Sequence, residues 1–309
     1  MLKTGVVGVG SLGRHHARIL ESIPGVKLVG VADINEENGR KIAHEYSTKY
    51  FRDYRDLIPL VECASVAAPT VDHHAICSAF ISAGKHVLVE KPISATLEEG
   101  QDLVRQARER KVTLQVGHLE RFNPAYTAIR DLITEPKFFE AHRLGIFVPR
   151  SLDIDVVMDL MIHDIDMVLS LVKSGIRDIR AVGIPILTEK VDIANVRIEF
   201  ENGVVANLTA SRVSSEKVRK LRFFQPDDYV SMDLANQTVN VFSLQPADTA
   251  FGKEIITRNI LVEKGEPLRF EILHFLDCVR SGKAPLCGGD EGLTALRVAQ
   301  KTLAVMHTV

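Results

Sequence analysis

From Leu2 to about Gly117, short β-branched apolar runs alternate with helix-length amphipathic stretches, the pattern of parallel strands joined by crossover helices. The runs predict strands over 4–9, 26–32, 63–68, 86–90 and 112–117, with a short one near Lys49 and helices between them. Gly84 stands between a helical run and the strand starting at His86, where a chain leaving a helix commonly turns left-handed. Past Asn123 and Pro124 the pattern predicts a helix, a strand over 138–148 and an amphipathic helix over 156–172. The period then changes. Between 178 and 262, runs such as NVRIEF, VVANLTA, VRKLRFF and TVNVFSL alternate in strand fashion around turn residues such as Glu201, Asn202 and Gly203, which predicts an antiparallel sheet. Two helices, 268–281 and 290–306, flank the loop SGKAPLCGGD.

This order of elements predicts an α/β fold: a doubly wound parallel sheet over 1–120, then an α+β domain over 121–309 with a large open, mainly antiparallel sheet. The C-terminal helix could pack back on the first domain. A length of 309 residues agrees with two cores rather than one. The chain is 46% hydrophobic and 25% charged, as globular enzymes are. With a net charge of -2 and interspersed basic residues, it has no stripe that would neutralise a nucleic-acid backbone. No apolar run approaches the roughly 18 residues of a membrane span, and no leader pattern opens the chain, so a cytoplasmic protein is expected. Cys63, Cys77, Cys278 and Cys287 are scattered, which predicts neither a disulfide framework nor a metal site.

Chemistry enters at Gly8-Val9-Gly10-Ser11-Leu12-Gly13, between the strand KTGVV and a helix. A Gly-rich turn in that context is a Rossmann dinucleotide loop: Gly8 permits the turn, Gly10 lets backbone approach a pyrophosphate, and Gly13 lets the helix pack close. Ser11 and Leu12 then lie at the helix N-terminus, whose dipole favours phosphate. Twenty residues past Gly13, Asp33 ends the second strand, where a carboxylate accepts from the adenosine ribose hydroxyls and repels a 2′-phosphate. Ile34 and Asn35 supply no compensating arginine, so the expected cofactor is NAD.

Two further signals concern the reacting end. Glu90-Lys91-Pro92 follows the strand HVLVE, at the carboxyl edge where open α/β sheets bind ligands. In VVMDLMIHDIDMVLSL, Asp159 and His163 share one helical face, as an acid orienting an imidazole requires. Plainer readings are a solvated strand-end lysine and a helix with a polar outer face over a stripe of Val157, Leu160, Met161, Ile165 and Val168. Taken together, AAPT (67–70), His73, AGKHVLVEKP (83–92) and DLMIHDID (159–166) resemble the glucose-fructose oxidoreductase/inositol dehydrogenase/MocA family over nearly the whole chain. The resemblance implies an oxidoreductase acting on a CH–OH group, with Lys91 and His163 catalytic and Asp159 paired with the histidine. It also implies that Thr70, His73, Glu90 and Lys91 line the cofactor site, and that the second sheet makes a homodimer or homotetramer. Met161 departs from the glycine often found two residues before the histidine.

GHLERFNPAY (117–126) further resembles the branch of that family acting on UDP-N-acetylglucosamine in bacterial lipid A synthesis. That implies oxidation of a nucleotide sugar at C3, with His118, Arg121 and Asn123 joining Asp159 and His163 at the substrate. Asn123 reads equally well as a helix cap before Pro124. Arg143 and Arg150 are further cations for a pyrophosphate, although surface arginines are commonly just solvated. The alternatives are a dehydrogenase of another sugar, inositol or amino sugar, a non-catalytic NAD-responsive regulator, and a tetrapyrrole-binding relative that would have no use for Asp159 and His163.

Overall fold

The computed structural model describes residues 1–148 and 154–308. Two compact units form, one from Met1–Leu119 with Glu266–Thr294, the other from Glu120–Gly265 with the stretch from Ala295 onward.

In the first unit six parallel strands, β1 (Leu2–Val7), β2 (Val26–Ala32), β3 (Lys49–Phe51), β4 (Cys63–Val66), β5 (His86–Glu90) and β6 (Leu114–Gly117), lie in the order β3-β2-β1-β4-β5-β6. All of β4 and all but the first residue of β5 are buried, as central parallel strands covered on both faces must be. Helices α1 (Gly13–Ser22), α2 (Glu36–Glu45), α3 (Thr70–Ser82) and α4 (Leu97–Arg110) make the crossovers. Their ends follow local chemistry. Thr96 and Glu99 close a reciprocal capping box on α4, and the Asn35 side chain accepts from Asn38 N on α2. Gly84 takes φ +71° just past α3, as its position between helix and strand predicts. Residues 266–294 join this unit rather than the rest of 121–309. The cause is the apolar face of α7 (Pro267–Ser281), whose Leu268, Ile272, Phe275 and Leu276 pack with Val6, Leu20 and Leu28.

The second unit carries a nine-stranded sheet made of β7 (Phe138–Leu144), β8 (Ile176–Ile184), β9 (Ile193–Phe200), β10 (Val205–Ser211), β11 (Val218–Phe224), β12 (Asp228–Asp233), β13 (Thr238–Pro246), β14 (Lys253–Ile260) and β15 (Met306–Thr308). Its order is β14-β13-β12-β11-β7-β10-β9-β8-β15, antiparallel except at β7–β10 and β8–β15. In β7, buried and half-buried residues alternate strictly, and Phe139 and Ala141 face the core. No residue of β14 is buried, so this edge strand has no alternation for a sequence to show.

The predicted helix over 156–172 is two pieces, a π-helical stretch over Val157–Met161 and α6 (Ile162–Leu171). Val157, Met161, Ile165 and Val168 enter the core as the stripe predicts, with Leu160 packed at its margin. The expected polar outer face is corrected: His163, Asp164 and Asp166 are buried. Among the described residues, no helix is long and apolar enough to cross a membrane.

Candidate functional site

The Gly-rich loop leaves β1 at Gly8, which has φ +80° and room for no side chain, since a Cβ there would stand 2.7 Å from Ala68 N. At Gly13 a Cβ would stand 1.7 Å from Gly8 O, so α1 can approach the loop only as glycine. Gly10 is different. Its Cβ direction is open space, which suits a pyrophosphate lying against exposed backbone beside exposed Ser11 and Leu12. The N-cap residue of α1, Leu12, makes no side-chain cap, unlike Asn35 and Thr96. The loop therefore fits a dinucleotide: open backbone, close helix packing and an uncapped helix N-terminus coincide.

Asp33 is already engaged. Its Oδ2 accepts from Val9 N at 2.7 Å and its Oδ1 from Asn35 N at 2.8 Å, so the carboxylate ties the Gly-rich loop to the start of α2. Each carboxylate oxygen has a second lone pair for a ribose hydroxyl. Beside the loop, between α1 and α2, a cavity of about 410 Å³ is lined by Gly10, Ser11, Arg14, Arg18, Asn38 and Lys41 among others.

At the next crossover, Thr70 is the first residue of α3 and half-buried. His73 and Glu90, expected to line the cofactor site, are both buried. The His73 ring meets Ala68 O and Pro92 O, both at 2.9 Å, and burial lowers its pKa against the pull of those two carbonyls. Glu90 is met by the His16 ring. Lys91 is half-buried at the end of β5, and its peptide bond to Pro92 is cis. His118, just past β6, is buried.

Gly13→Ala tests the loop geometry. Backbone cannot yield as a flexible side chain does, so α1 must shift, with an expected loss of about 1–3 kcal/mol as for other overpacked sites. Thermal melting and NADH titration read it: Tm falls and cofactor affinity weakens by about tenfold or more, a shift of over 1 kcal/mol.

In the second unit Asp159 lies half-buried in the π-helical stretch, while His163 is buried in the first turn of α6. Their spacing of four therefore crosses a change of helix type. Such π segments occur frequently at functional sites. Asp159 and Leu160 border a cavity of about 220 Å³ whose wall also holds Arg143, Arg212, Lys217 and Arg219.

Arg121 and Arg143, candidate cations for a phosphate, are paired with buried carboxylates. Arg121 forks onto Asp166, Nε to Oδ2 at 2.7 Å and Nη2 to Oδ1 at 3.1 Å, with both side chains buried. Arg143 grips Asp164 through Nε and Nη2 at 2.9 and 2.8 Å, and its Nη1 donates to Glu120 Oε1 at 2.8 Å. Asn123 caps α5 (Pro124–Thr127), accepting from Ala125 N, while its Nδ2 donates to Glu120 Oε2 and Leu234 O. Arg121 and Asn123, expected at the substrate, are buried and each has polar partners inside the unit. Arg150 lies outside the described residues. Burial pushes Asp164 up despite the Arg143 fork. For Glu120 burial is the largest influence and pushes the same way, but the charge and hydrogen bond of Arg143, the Arg219 charge and the Asn123 amide together hold the carboxyl low. Nothing in the sequence marks Glu120 or Asp164 as members of this cluster. The one available hint is excess acid in DLMIHDID, where an aspartate beyond those flanking the histidine needs a partner.

Comparison with known proteins matches two stretches of the chain to two family models. Residues 2–118 match the model of the oxidoreductase family with an NAD-binding Rossmann fold, and residues 138–224 match the GFO/IDH/MocA C-terminal domain. UDP-N-acetylglucosamine 3-dehydrogenase from Acidithiobacillus ferrooxidans is 38% identical over 96% of this chain and 95% of its own. A solved structure of that enzyme superposes with a TM-score of 0.93, covering 99% of this chain and 97% of that one. The scyllo-inositol 2-dehydrogenase (NAD(+)) of Bacillus subtilis is 28% identical over 92% of this chain and 88% of its own. With its dinucleotide loop, its second sheet and relatives matched along nearly their whole length, the chain belongs to the Gfo/Idh/MocA family of NAD-binding oxidoreductases.

Proposed function

We propose that this oxidoreductase is an NAD-dependent dehydrogenase of a nucleotide sugar, oxidising the C3 hydroxyl of UDP-N-acetylglucosamine to the 3-keto sugar. The observation that carries the substrate class is the cavity beside Asp159. Among the described residues, its wall holds Arg143, Arg212, Lys217 and Arg219 together with Asp159. A diphosphate would be met by cations at such a rim, for which an uncharged polyol has no need. Arg143 and Arg212 are committed to buried carboxylates and Arg219, 38% exposed, also reaches Glu120 at 3.9 Å, so exposed Lys217 is the side chain placed to meet the anion first. The relative that acts on UDP-N-acetylglucosamine supports the same class.

In this reading Gly8, Gly10, Ser11, Leu12 and Gly13 hold the cofactor pyrophosphate, Asp33 and Thr70 the adenosine side, and Lys91 the nicotinamide side. The bound nicotinamide supplies the hydride acceptor. His163 takes the hydroxyl proton, the role to which an imidazole base is suited near neutral pH. Lys91 donates a hydrogen bond to the same oxygen as negative charge develops on it. Asp159 holds the tautomer of the histidine. The Asp33 carboxylate faces the ribose and selects NAD over NADP. The second unit makes a homo-oligomer through its open sheet, and the enzyme works in the cytoplasm.

Incubating the protein with NAD or NADP and a panel of UDP-sugars, free N-acetylglucosamine and inositols, with NADH absorbance as the signal, tests the reading. UDP-N-acetylglucosamine is expected to exceed the free sugar in kcat/KM by about 10–100-fold, what one or two charge-assisted hydrogen bonds contribute. Equal use of NADP removes the role given to Asp33. Turnover of inositols alone replaces the substrate class, and bound NAD without turnover points to a regulator.

A further inference from the structure

The buried histidine of α1 has no part in binding or proton transfer as described above, yet it is tied to the reacting lysine. His16 is 0% exposed, and both ring nitrogens have partners: Nδ1 lies 2.7 Å from Ser65 Oγ on β4 and Nε2 lies 3.0 Å from Glu90 Oε1 at the end of β5. Glu90 is itself buried, and its Oε2 accepts from Lys91 N at 3.3 Å. Across the sheet, Glu90 pairs with Gly117 on β6, where a Cβ would stand 2.9 Å from Oε2. Helix α1 and strands β4, β5 and β6 thus build a fitted recess for one carboxylate, directly before Lys91.

A chain of hydrogen bonds can be written without a charged imidazole. Ser65 Oγ–H donates to Nδ1 and Nε2–H donates to the Glu90 carboxylate. Apolar groups of matching shape would fill such a recess at no loss of stability, so stability alone does not call for the polar set. What the set supplies is direction: it fixes the Glu90 carboxylate, and through it the backbone from which the Lys91 side chain departs.

We propose that His16 is a positioning residue for Lys91, acting through Glu90, and that it holds the reacting lysine in register with the helix whose N-terminus takes the cofactor phosphates. This rests on the reading of Lys91 as a reacting group, but its test does not require the substrate to be known. Without the His16 donor, the buried Glu90 carboxylate loses a fixed partner and no longer holds its negative charge in a fixed place next to Lys91. The pKa of Lys91 then falls.

The experiment compares His16→Leu, His16→Gln and Ser65→Ala with the unaltered protein. Competitive labelling of Lys91 by acetic anhydride across pH, read by mass spectrometry, follows the lysine whether or not a substrate has been found. In His16→Leu the Lys91 titration is expected to move to lower pH, while NADH affinity stays within about twofold, well under 1 kcal/mol. His16→Gln, whose amide can still donate to Glu90, returns the titration toward that of the unaltered protein. With a turned-over sugar in hand, kcat of His16→Leu falls by about 10-fold or more at little change in KM, the mark of an interaction made in the transition state. If His16→Leu does not fold, Ser65→Ala carries the test with a smaller shift in the same direction. An unmoved Lys91 titration in folded variants overturns the proposal, and so does a loss of NADH affinity that parallels the loss of kcat. Absence of turnover in the unaltered protein, by contrast, counts against the proposed function and leaves the labelling result to decide this inference.

Discussion

Lys91→Ala is expected to lower kcat by about 10³-fold, within the range that loss of a positioned proton donor and an oxyanion-stabilising group produces. The lysine stands at the carboxyl end of β5, half-buried, at the edge where ligands of a doubly wound sheet bind. Strand β5 owes its placement to its buried residues and to register with β4 and β6, none of which involves the Lys91 side chain. NADH titration should agree within a few-fold between variant and parent, because the pyrophosphate contacts proposed here lie on the loop Gly8–Gly13 and at Asp33. Lys91→Arg is expected to recover little. A guanidinium is planar and wider than an ammonium, cannot give up its proton in a protein, and presents donors along fixed directions. A Lys91→Ala enzyme that keeps more than about a tenth of its kcat, a cost under 1.4 kcal/mol, removes the lysine from the reaction.

Such a prediction is possible from the sequence because the features behind it are local. A Gly-rich turn, an acid twenty residues on and a lysine at a strand end are each read within a few residues. The strands of the parallel sheet were legible for the same reason: burial on both faces makes β4 and β5 continuous apolar runs. Features held together by distant partners escaped. His16 meets Glu90 across 74 residues, Arg121 meets Asp166 across 45, and Arg143 reaches Asp164 and Glu120 across 21 and 23. A sequence displays the charges of those arginines but not their partners, so a buried framework looks the same as a phosphate site. Strand β14 escaped for the opposite reason, since it has no buried residue to set a period. The π-helical stretch has the sequence pattern of an α-helix because its apolar positions still reach the core.

The framework formed by those arginines gives the largest stability effect expected here. Arg143→Met, which keeps most of the side-chain volume, should destabilise the second unit by about 3–5 kcal/mol, the usual cost of removing one partner from a buried ion pair. The reason lies in what remains. Glu120 and Asp164, with side chains 4% and 3% exposed, lose the cation that both face, and they sit close to one another in a medium that penalises charge. Both carboxyls then have folded-state pKa values above their unfolded values of about 4, so the folded state binds more protons than the unfolded one. The stability deficit is accordingly small below about pH 4 and grows as pH rises through the raised values, which makes the variant weaker at pH 8 than at pH 5. Scanning calorimetry of the unit's transition at the two pH values measures both effects. Adding Glu120→Gln and Asp164→Asn to Arg143→Met removes the stranded charges and should restore roughly half of the lost stability, with no pH dependence left from this cluster. A single variant that melts within about 2 °C of the parent, under about 1 kcal/mol for a unit of this size, would show that the cluster does not act as a buried ion pair.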